Sequence, residues 1–306
     1  MKNRGELTTQ QIVMLVIAIA SFLVLLFFFG LLDFGQETDA EVCRNSVAMK
    51  GGSIVSSEAA RLNCQRKYLC ITEDGTCEGM TSPKVEKVET KEEIYDILSN
   101  EMADCWWMFG EGKIDYVGKD ATKNNYCSIC SQIVFDDSLS EVPGIDFEIS
   151  KDELYDYLSK KNMSNNKMTY SEYIFGEKDL NTLRQEALKE YGTGATFGKI
   201  KIGEQYFVVM GITSETNNWK WVAVGGVIVG GVVGVLTPGL NAVAGILVLG
   251  ILSTGGGIWA DAHDVEIAAI EVEGQGIDNQ FMAPTILEVD SDKFNSLNCE
   301  EIVTHS

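Results

Sequence analysis

Basic residues are scarce in this 306-residue chain: Lys plus Arg number 24 against 45 Asp plus Glu, a formal net charge of −21. A nucleic-acid partner needs a basic patch or stripe, so that class is disfavoured. Histidine is nearly missing. His263 and His305 are the only two, and neither falls at zinc-ligand spacing. There is no HExxH, no phosphate-cradling glycine loop, no second CxxC, no internal repeat and no low-complexity linker. Serine, histidine and aspartate do not fall in a triad order with any distinguishing context. Carboxylates are many, but none pairs off by sequence, and the acidic runs read as a solvated face. The expectation is a protein without catalysis, without a metal and without a cofactor.

Charge is also missing from two long apolar blocks, Gln11–Leu32 and Trp221–Trp259. The first is long enough to cross roughly 30 Å of hydrocarbon as a helix. Lys2 and Arg4 precede it and Asp33, Glu37 and Asp39 follow it, which places the N-terminus in the cytoplasm and sends the chain outward. A cleaved secretory signal would have a shorter apolar region, about 7–15 residues, and a better cleavage site than Thr38-Asp39-Ala40. An uncleaved anchor is expected.

Arg4-Gly5-Glu6-Leu7, a polar turn and then the apolar run resemble the class III signal of archaeal type IV prepilins. That resemblance implies cleavage between Gly5 and Glu6 and a retained helix that packs in a filament core. The whole chain, with its CWWMFGEG and CSIC segments, resembles a membrane-protein family of small-genome archaea. The likeness implies a membrane location and brings no activity with it.

The second block is flanked by Trp219, Trp221 and Trp259, as in an interfacial aromatic belt. A single straight helix over it would approach 60 Å, about twice the hydrocarbon core. Thr237-Pro238-Gly239 interrupts it. The expectation is a transmembrane hairpin with arms at about 219–236 and 240–259. Gly226, Gly230 and Gly234 recur every fourth residue and give the first arm one bare face for helix packing, within the hairpin or in an oligomer. A glycine-zipper pore is the alternative use of that face.

A hairpin entered from outside returns the chain outside. The acidic tail, with Lys293 its only Lys or Arg, agrees. So does cysteine parity: Cys43, Cys64, Cys70, Cys77, Cys105, Cys127 and Cys130 precede the hairpin, and Cys299 follows it. All eight are disulfide candidates, the default outside the cell. Two other uses of Cys127-Ser-Ile-Cys130 stay open. One is half of a zinc site completed by Cys70 and Cys77; the other is a thiol oxidoreductase dithiol.

Between the apolar blocks, Thr90-Lys-Glu-Glu93 and Ser150-Lys-Asp-Glu153 are capping boxes. They predict helices to about Phe109, stopped by Gly110 and Gly112, and to about Lys161. A third helix is expected over Lys178–Tyr191. Strands are expected at Ser131–Phe135, Val265–Ile267 and Ile286–Val289, with a β-hairpin of Phe197–Ile202 and Gln205–Ile212 around Gly203-Glu204. The segment Glu73–Glu89 reads as a loop. Trp106, Trp107, Met108 and Phe109 read as a core plug beside Cys105. Asn162-Met-Ser164 is an N-glycosylation sequon.

The resulting fold class is an α+β disulfide-stabilised ectodomain with an N-terminal transmembrane helix and a C-terminal Gly-rich transmembrane helical hairpin. Its parts are a cytoplasmic stub and anchor (1–36), the extracytoplasmic domain (37–218), the hairpin (219–260) and an acidic tail packing on the domain (261–306). The expected partners are the lipid bilayer and other membrane or surface proteins, with self-association possible through the glycine face. The expected role is structural or interactive, in the envelope or a pilus-like assembly at the plasma membrane.

Overall fold

The computed structural model describes residues 13–22, 39–52, 62–118, 125–164, 167–185, 195–213, 243–250 (as backbone) and 265–305. Two units divide the chain, Met1–Asp39 and Ala40–Ser306. In the first, residues 13–22 are helical and their large apolar side chains, from Ile19 at 51% to Met14 at 68%, are exposed. Among the described residues no helix is long and apolar enough to cross a membrane.

The second unit is mixed α and β. In chain order its elements are α1 (Asp39–Gly52), β1 (Lys67–Thr72), β2 (Lys84–Lys87), α2 (Lys91–Met108), β3 (Asn125–Phe135), β4 (Glu148–Ser150), α3 (Lys151–Lys160), α4 (Tyr170–Phe175), β5 (Ala195–Thr196), β6 (Lys199–Lys201), β7 (Gln205–Thr213), β8 (Val243–Gly250), β9 (Val265–Glu273), β10 (Gln280–Glu288), α5 (Asp292–Asn295) and β11 (Glu301–Ile302). Nine strands share one sheet, in the order β2-β1-β3-β7-β10-β9-β5, with β11 added to β3 and β8 to β9. β4 and β6 form a separate two-stranded sheet.

β3 is the centre. It is buried along ten of its eleven residues, as a strand covered on both faces must be. One edge pairs antiparallel with β7. The other carries β11 at Tyr126–Cys127 and β1 at Ser131–Phe135, both parallel. On one face lies the larger core, where Ile94, Leu98 and Met102 of α2 meet Ile133, Phe135 and Val208 of the sheet. On the other lies a smaller core of Cys127, Ile129, Phe207, Val209, Met282 and Leu287, covered by Phe294, Leu297 and Cys299 of the tail.

Of the two expected capping boxes one closes in full and the other in half, since the Glu153 carboxylate is taken by Lys91 and Tyr95. The Thr90 hydroxyl accepts from the Glu93 amide, and the Glu93 carboxylate accepts from the Thr90 amide, opening α2. α2 ends before Gly110 and Gly112, both at positive φ (85° and 72°). The Ser150 hydroxyl accepts from the Glu153 amide and opens α3. A row of tyrosine hydroxyls then ties α3 and α4 to α2 and the segment after it: Tyr95 to Glu153 (2.8 Å), Tyr157 to Asp96 (3.0 Å), Tyr170 to Asn100 (2.6 Å) and Tyr173 to Glu111 (2.8 Å).

Several expectations are corrected. The hairpin around Gly203-Glu204 does not form. β6 pairs antiparallel with β4, Ile149 opposite Ile200, while β7 enters the main sheet between β3 and β10. Only Ile200 of β6 points inward, which suits a small side sheet; β7 is buried at eight of nine positions, which suits a central strand. The Glu73–Glu89 loop contains β2, an edge strand with charged Lys84, Glu86 and Lys87, a composition that hides strand signal and guards the edge. α1 and α4 were not expected. α4 carries its own box, Thr169 with Glu172, and ends at Gly176 in the left-handed region (φ 72°).

The largest correction concerns the second apolar block. Residues Val243–Gly250, expected within the second helical arm, form β8 and pair antiparallel with β9. A short apolar run suits a buried strand and a membrane helix equally, and here β9 supplies the pairing edge. The first arm, with Gly226, Gly230 and Gly234, lies outside the described residues, as do Gly5, Glu6, Trp219, Trp221 and Trp259. Of the expected helix Lys178–Tyr191, residues 181–185 are helical and 186–191 lie outside the described residues. In the tail, the expected strand Val265–Ile267 opens β9, and Ile286–Val289 overlaps the end of β10, which stops at Glu288; both join the same sheet as β3 and β7.

Candidate functional site

All eight cysteines are bridged: Cys43–Cys64, Cys70–Cys77, Cys105–Cys130 and Cys127–Cys299. Cys127 and Cys130 do not pair with each other. They lie in β3, where side chains alternate between faces, so two positions three apart point to opposite sides. Cys127 joins the tail through the smaller core, and Cys130 joins α2 through the larger one. Both sulfurs are consumed in structural bridges. The Cys70 and Cys77 sulfurs lie near an Asp136 carboxylate oxygen, within 4.8 Å, but their bridge removes them as thiolate ligands. The aromatic segment is a core plug as expected. Trp106, Met108 and Phe109 are buried, Trp106 meets Phe281 edge-on at 5.9 Å, and half-buried Trp107 lies under the Arg44 guanidinium at 4.5 Å.

The most concentrated buried chemistry sits where β9 and β10 separate. These strands pair only at Gln280–Met282 opposite Glu273–Glu271. Pro284 follows; it has no amide hydrogen, and the β10 register against β7 shifts between Met282 and Thr285. Side chains take over from the broken ladder. The Thr285 hydroxyl donates to the Ala268 carbonyl (2.8 Å), and the Lys151 ammonium donates to the Ile286 carbonyl (3.2 Å). Lys151 also reaches Glu266 Oε1 (3.4 Å), and Lys293 holds Glu266 Oε2.

The Lys151–Glu266 pair is buried. The Lys151 and Glu266 side chains are 5% and 9% exposed. Gly198, at φ 85°, lies against the Glu266 carboxylate: a Cβ there would stand 2.2 Å from Oε1, so no other residue fits without displacement. Beside it Tyr155 and Phe197 stack at 3.8 Å with their planes 6° apart. Burial pushes the Lys151 amine below its usual value, against the opposing pull of Glu266. Burial likewise pushes the Tyr155 hydroxyl up to about 12. The arrangement joins helix α3, strand β9 and the tail, with Lys293 on its solvent side. Sequence reading missed it, because three residues 115 and 27 positions apart share no local pattern.

An open groove of about 720 Å³ lies on the surface, lined by Lys91, Phe147, Glu148, Glu153, Lys199 and Lys201. Phe147 is 80% exposed there. Each ammonium has a carboxylate: Lys91 with Glu153 (2.9 Å), Lys199 with Glu148 (2.5 Å) and Lys201 with Glu288 (3.1 Å). Asn162 and Ser164 of the sequon are exposed in the connection between α3 and α4.

Comparison with protein families, with curated proteins and with solved structures finds no match to this chain.

Proposed function

We propose that the chain is a membrane-anchored extracytoplasmic protein whose disulfide-stapled domain serves a structural or adhesive role at the cell surface, without catalysis. The observation that carries this reading is the use of every cysteine in a bridge, including Cys127–Cys299 across 172 positions. Disulfides of this density persist in oxidising compartments. The strong acidic balance keeps such a surface soluble. The apolar run from Gln11 to Leu32 supplies the anchor, and the prepilin-like Arg4-Gly5-Glu6-Leu7 suggests a pilus-like assembly as the setting. The sequon at Asn162 offers an exposed attachment point for a glycan.

The test is flotation of the full chain with native membranes, followed by a non-reducing peptide map. A Cys127–Cys299 peptide pair in the membrane fraction is the expected result. Free thiols at these positions, or a chain that stays out of the membrane fraction, would overturn the reading.

A further inference from the structure

Phe147 is the most exposed large apolar side chain among the described residues, at 80%. A phenyl ring in water forfeits the free energy that burial would give it, and this one lines the groove of about 720 Å³. That volume lies inside the range of small-molecule sites, roughly 300–1,000 Å³. The groove floor follows from strand parity. β4 pairs with β6 so that Ile149 lies opposite Ile200, and both are fully buried. The alternate residues, Glu148 and Ser150 on β4 with Lys199 and Lys201 on β6, therefore take the outer face. Lys91 and Glu153 come in from the first turns of α2 and α3.

The floor is polar and nearly balanced in charge. Lys91 pairs with Glu153 at 2.9 Å, Lys199 with Glu148 at 2.5 Å and Lys201 with Glu288 at 3.1 Å. Asp146 adds one more carboxylate to the lining. An anionic ligand would have to displace a carboxylate from an ammonium and then lie near Asp146. A cationic ligand meets an excess of carboxylate all over a chain at −21, which singles out no groove. A neutral hydroxyl needs no such exchange. It can accept from an ammonium and donate to the adjacent carboxylate, so it joins an ion pair without breaking it. One hydroxyl already does so in part: Tyr95 donates to the same Glu153 oxygen that Lys91 holds, at 2.8 Å. An extended peptide fits less well. The floor is a sheet face and not an edge, so it offers charged side chains and no backbone ladder.

We propose that this groove binds a neutral saccharide, with the apolar face of one pyranose ring on Phe147 and its hydroxyls on the Lys199–Glu148 and Lys91–Glu153 pairs. The face of a phenyl ring carries negative charge density and attracts the C–H hydrogens of a sugar ring. The hydroxyls around that ring each donate and accept, as the paired floor requires. The proposal rests on the adhesive reading above and names its ligand class.

The test uses the full chain in phosphatidylcholine nanodiscs, which carry no sugar, and saturation-transfer NMR. Maltotetraose, cellotetraose and chitotetraose are the neutral probes, and tetragalacturonate is the anionic one. At least one neutral probe should bind with a Kd on the order of 1 mM, as an open groove with one aromatic contact allows. Phe147→Ala should weaken that binding about tenfold, and Phe147→Tyr should keep it within about twofold. Lys199→Met should weaken it as well. Raising the salt concentration should leave the Kd of a neutral probe unchanged, because no ligand charge is there to be screened. Phe147 is exposed, so the fold survives its removal, and circular dichroism of the variant checks this. Absence of binding by every neutral probe, binding that survives Phe147→Ala, or preferred and salt-sensitive binding of tetragalacturonate would overturn the proposal. Flotation with membranes is scored separately. A chain that floats and binds no sugar loses this proposal and keeps the anchored reading, and a chain that binds sugar without floating loses the anchor and keeps the groove.

Discussion

Cys127–Cys299 should be the most stabilising bridge of the domain. Its loop spans 172 positions, and in the chain-entropy description such a closure is worth about 5 kcal/mol at 25 °C. Cys70–Cys77 closes 7 positions, and the same relation gives about 2 kcal/mol. The structure adds a reason for the long bridge to matter. Phe294 and Leu297 of the tail cover the smaller core, with the Phe294 ring 5.1 Å from that of Phe207. Besides the bridge and this packing, the tail is held by the Lys293–Glu266 ion pair, by the Glu300 amide donating to the Asn125 carbonyl (2.9 Å), by the two-residue pairing of β11, by the Thr304 hydroxyl accepting from the Ile129 amide (3.1 Å), and by His305 alongside Cys64–Arg66.

The experiment compares Cys127→Ala with Cys299→Ala, as one double variant, against Cys70→Ala with Cys77→Ala. Urea unfolding followed by fluorescence gives the free energies, and amide exchange reports the tail directly. The long-loop variant should lose about 3 kcal/mol more than the short-loop variant, a difference of about 6–12 °C in Tm for a domain of this size. Its amides around Phe294–Val303 should lose protection first. Equal losses for the two variants, or a tail that stays protected, would refute the view that the bridge and not the packing holds the second face closed.

Two further outcomes follow from buried charge and buried hydroxyls. Glu266→Leu alone strands the Lys151 ammonium and should cost about 3–5 kcal/mol, whereas Lys151→Met combined with Glu266→Leu should recover most of that, and a double-mutant cycle by urea unfolding measures it. Above pH 10 the domain should lose stability: burial raises Tyr155 and Tyr170 to about 12, and raises Tyr95, Tyr116, Tyr173 and Tyr206 as well. A raised folded pKa contributes stability that is whole below the unfolded value near 10 and is lost as pH climbs through the folded one. For Tyr155 this amounts to about 2–3 kcal/mol. Absorbance at alkaline pH should show tyrosines ionising together with unfolding, and independent ionisation near pH 10 would contradict the burial.

The elements that were legible in the sequence are those whose signal is local. α2 and α3 announce themselves by a hydroxyl three residues before a carboxylate, and α2 by two glycines at its end. α4 had the same signature in Thr169 and Glu172 but only six helical residues, too few for any periodicity. What could not be read was partnership. β7 and β6 adjoin in sequence and separate in space, because burial on both faces draws β7 inward. β8 gave the opposite error. A run such as Val243–Gly250 is apolar because a buried strand needs it to be, and next to another apolar stretch it merges into one long block. The CxxC was visible, but its meaning depended on the conformation around it. On a helix or turn the two sulfurs converge; in β3 they diverge to separate cores.

That divergence explains how one strand organises the domain. β3 takes hydrogen bonds from β1 and β11 on one edge and from β7 on the other. Cys130 fastens α2 to one face and Cys127 fastens the tail to the opposite face. The two cores therefore share a single rigid wall. Ser128 and Ser131, both fully buried in it, show that the wall tolerates polar atoms between its cores. The segment leading into β1 and the last described residues also meet beside it. Gln65 bridges His305 in parallel, and the Cys64 carbonyl accepts from the His305 amide. Tension applied through an anchor N-terminal to α1 would reach the Cys43–Cys64 bridge and then β1, which is loaded along its length against β3. Peeling β1 away would require all its ladder bonds to yield together. Load applied from the N-terminal side therefore meets the β1–β3 ladder before it meets the wall that carries both cores.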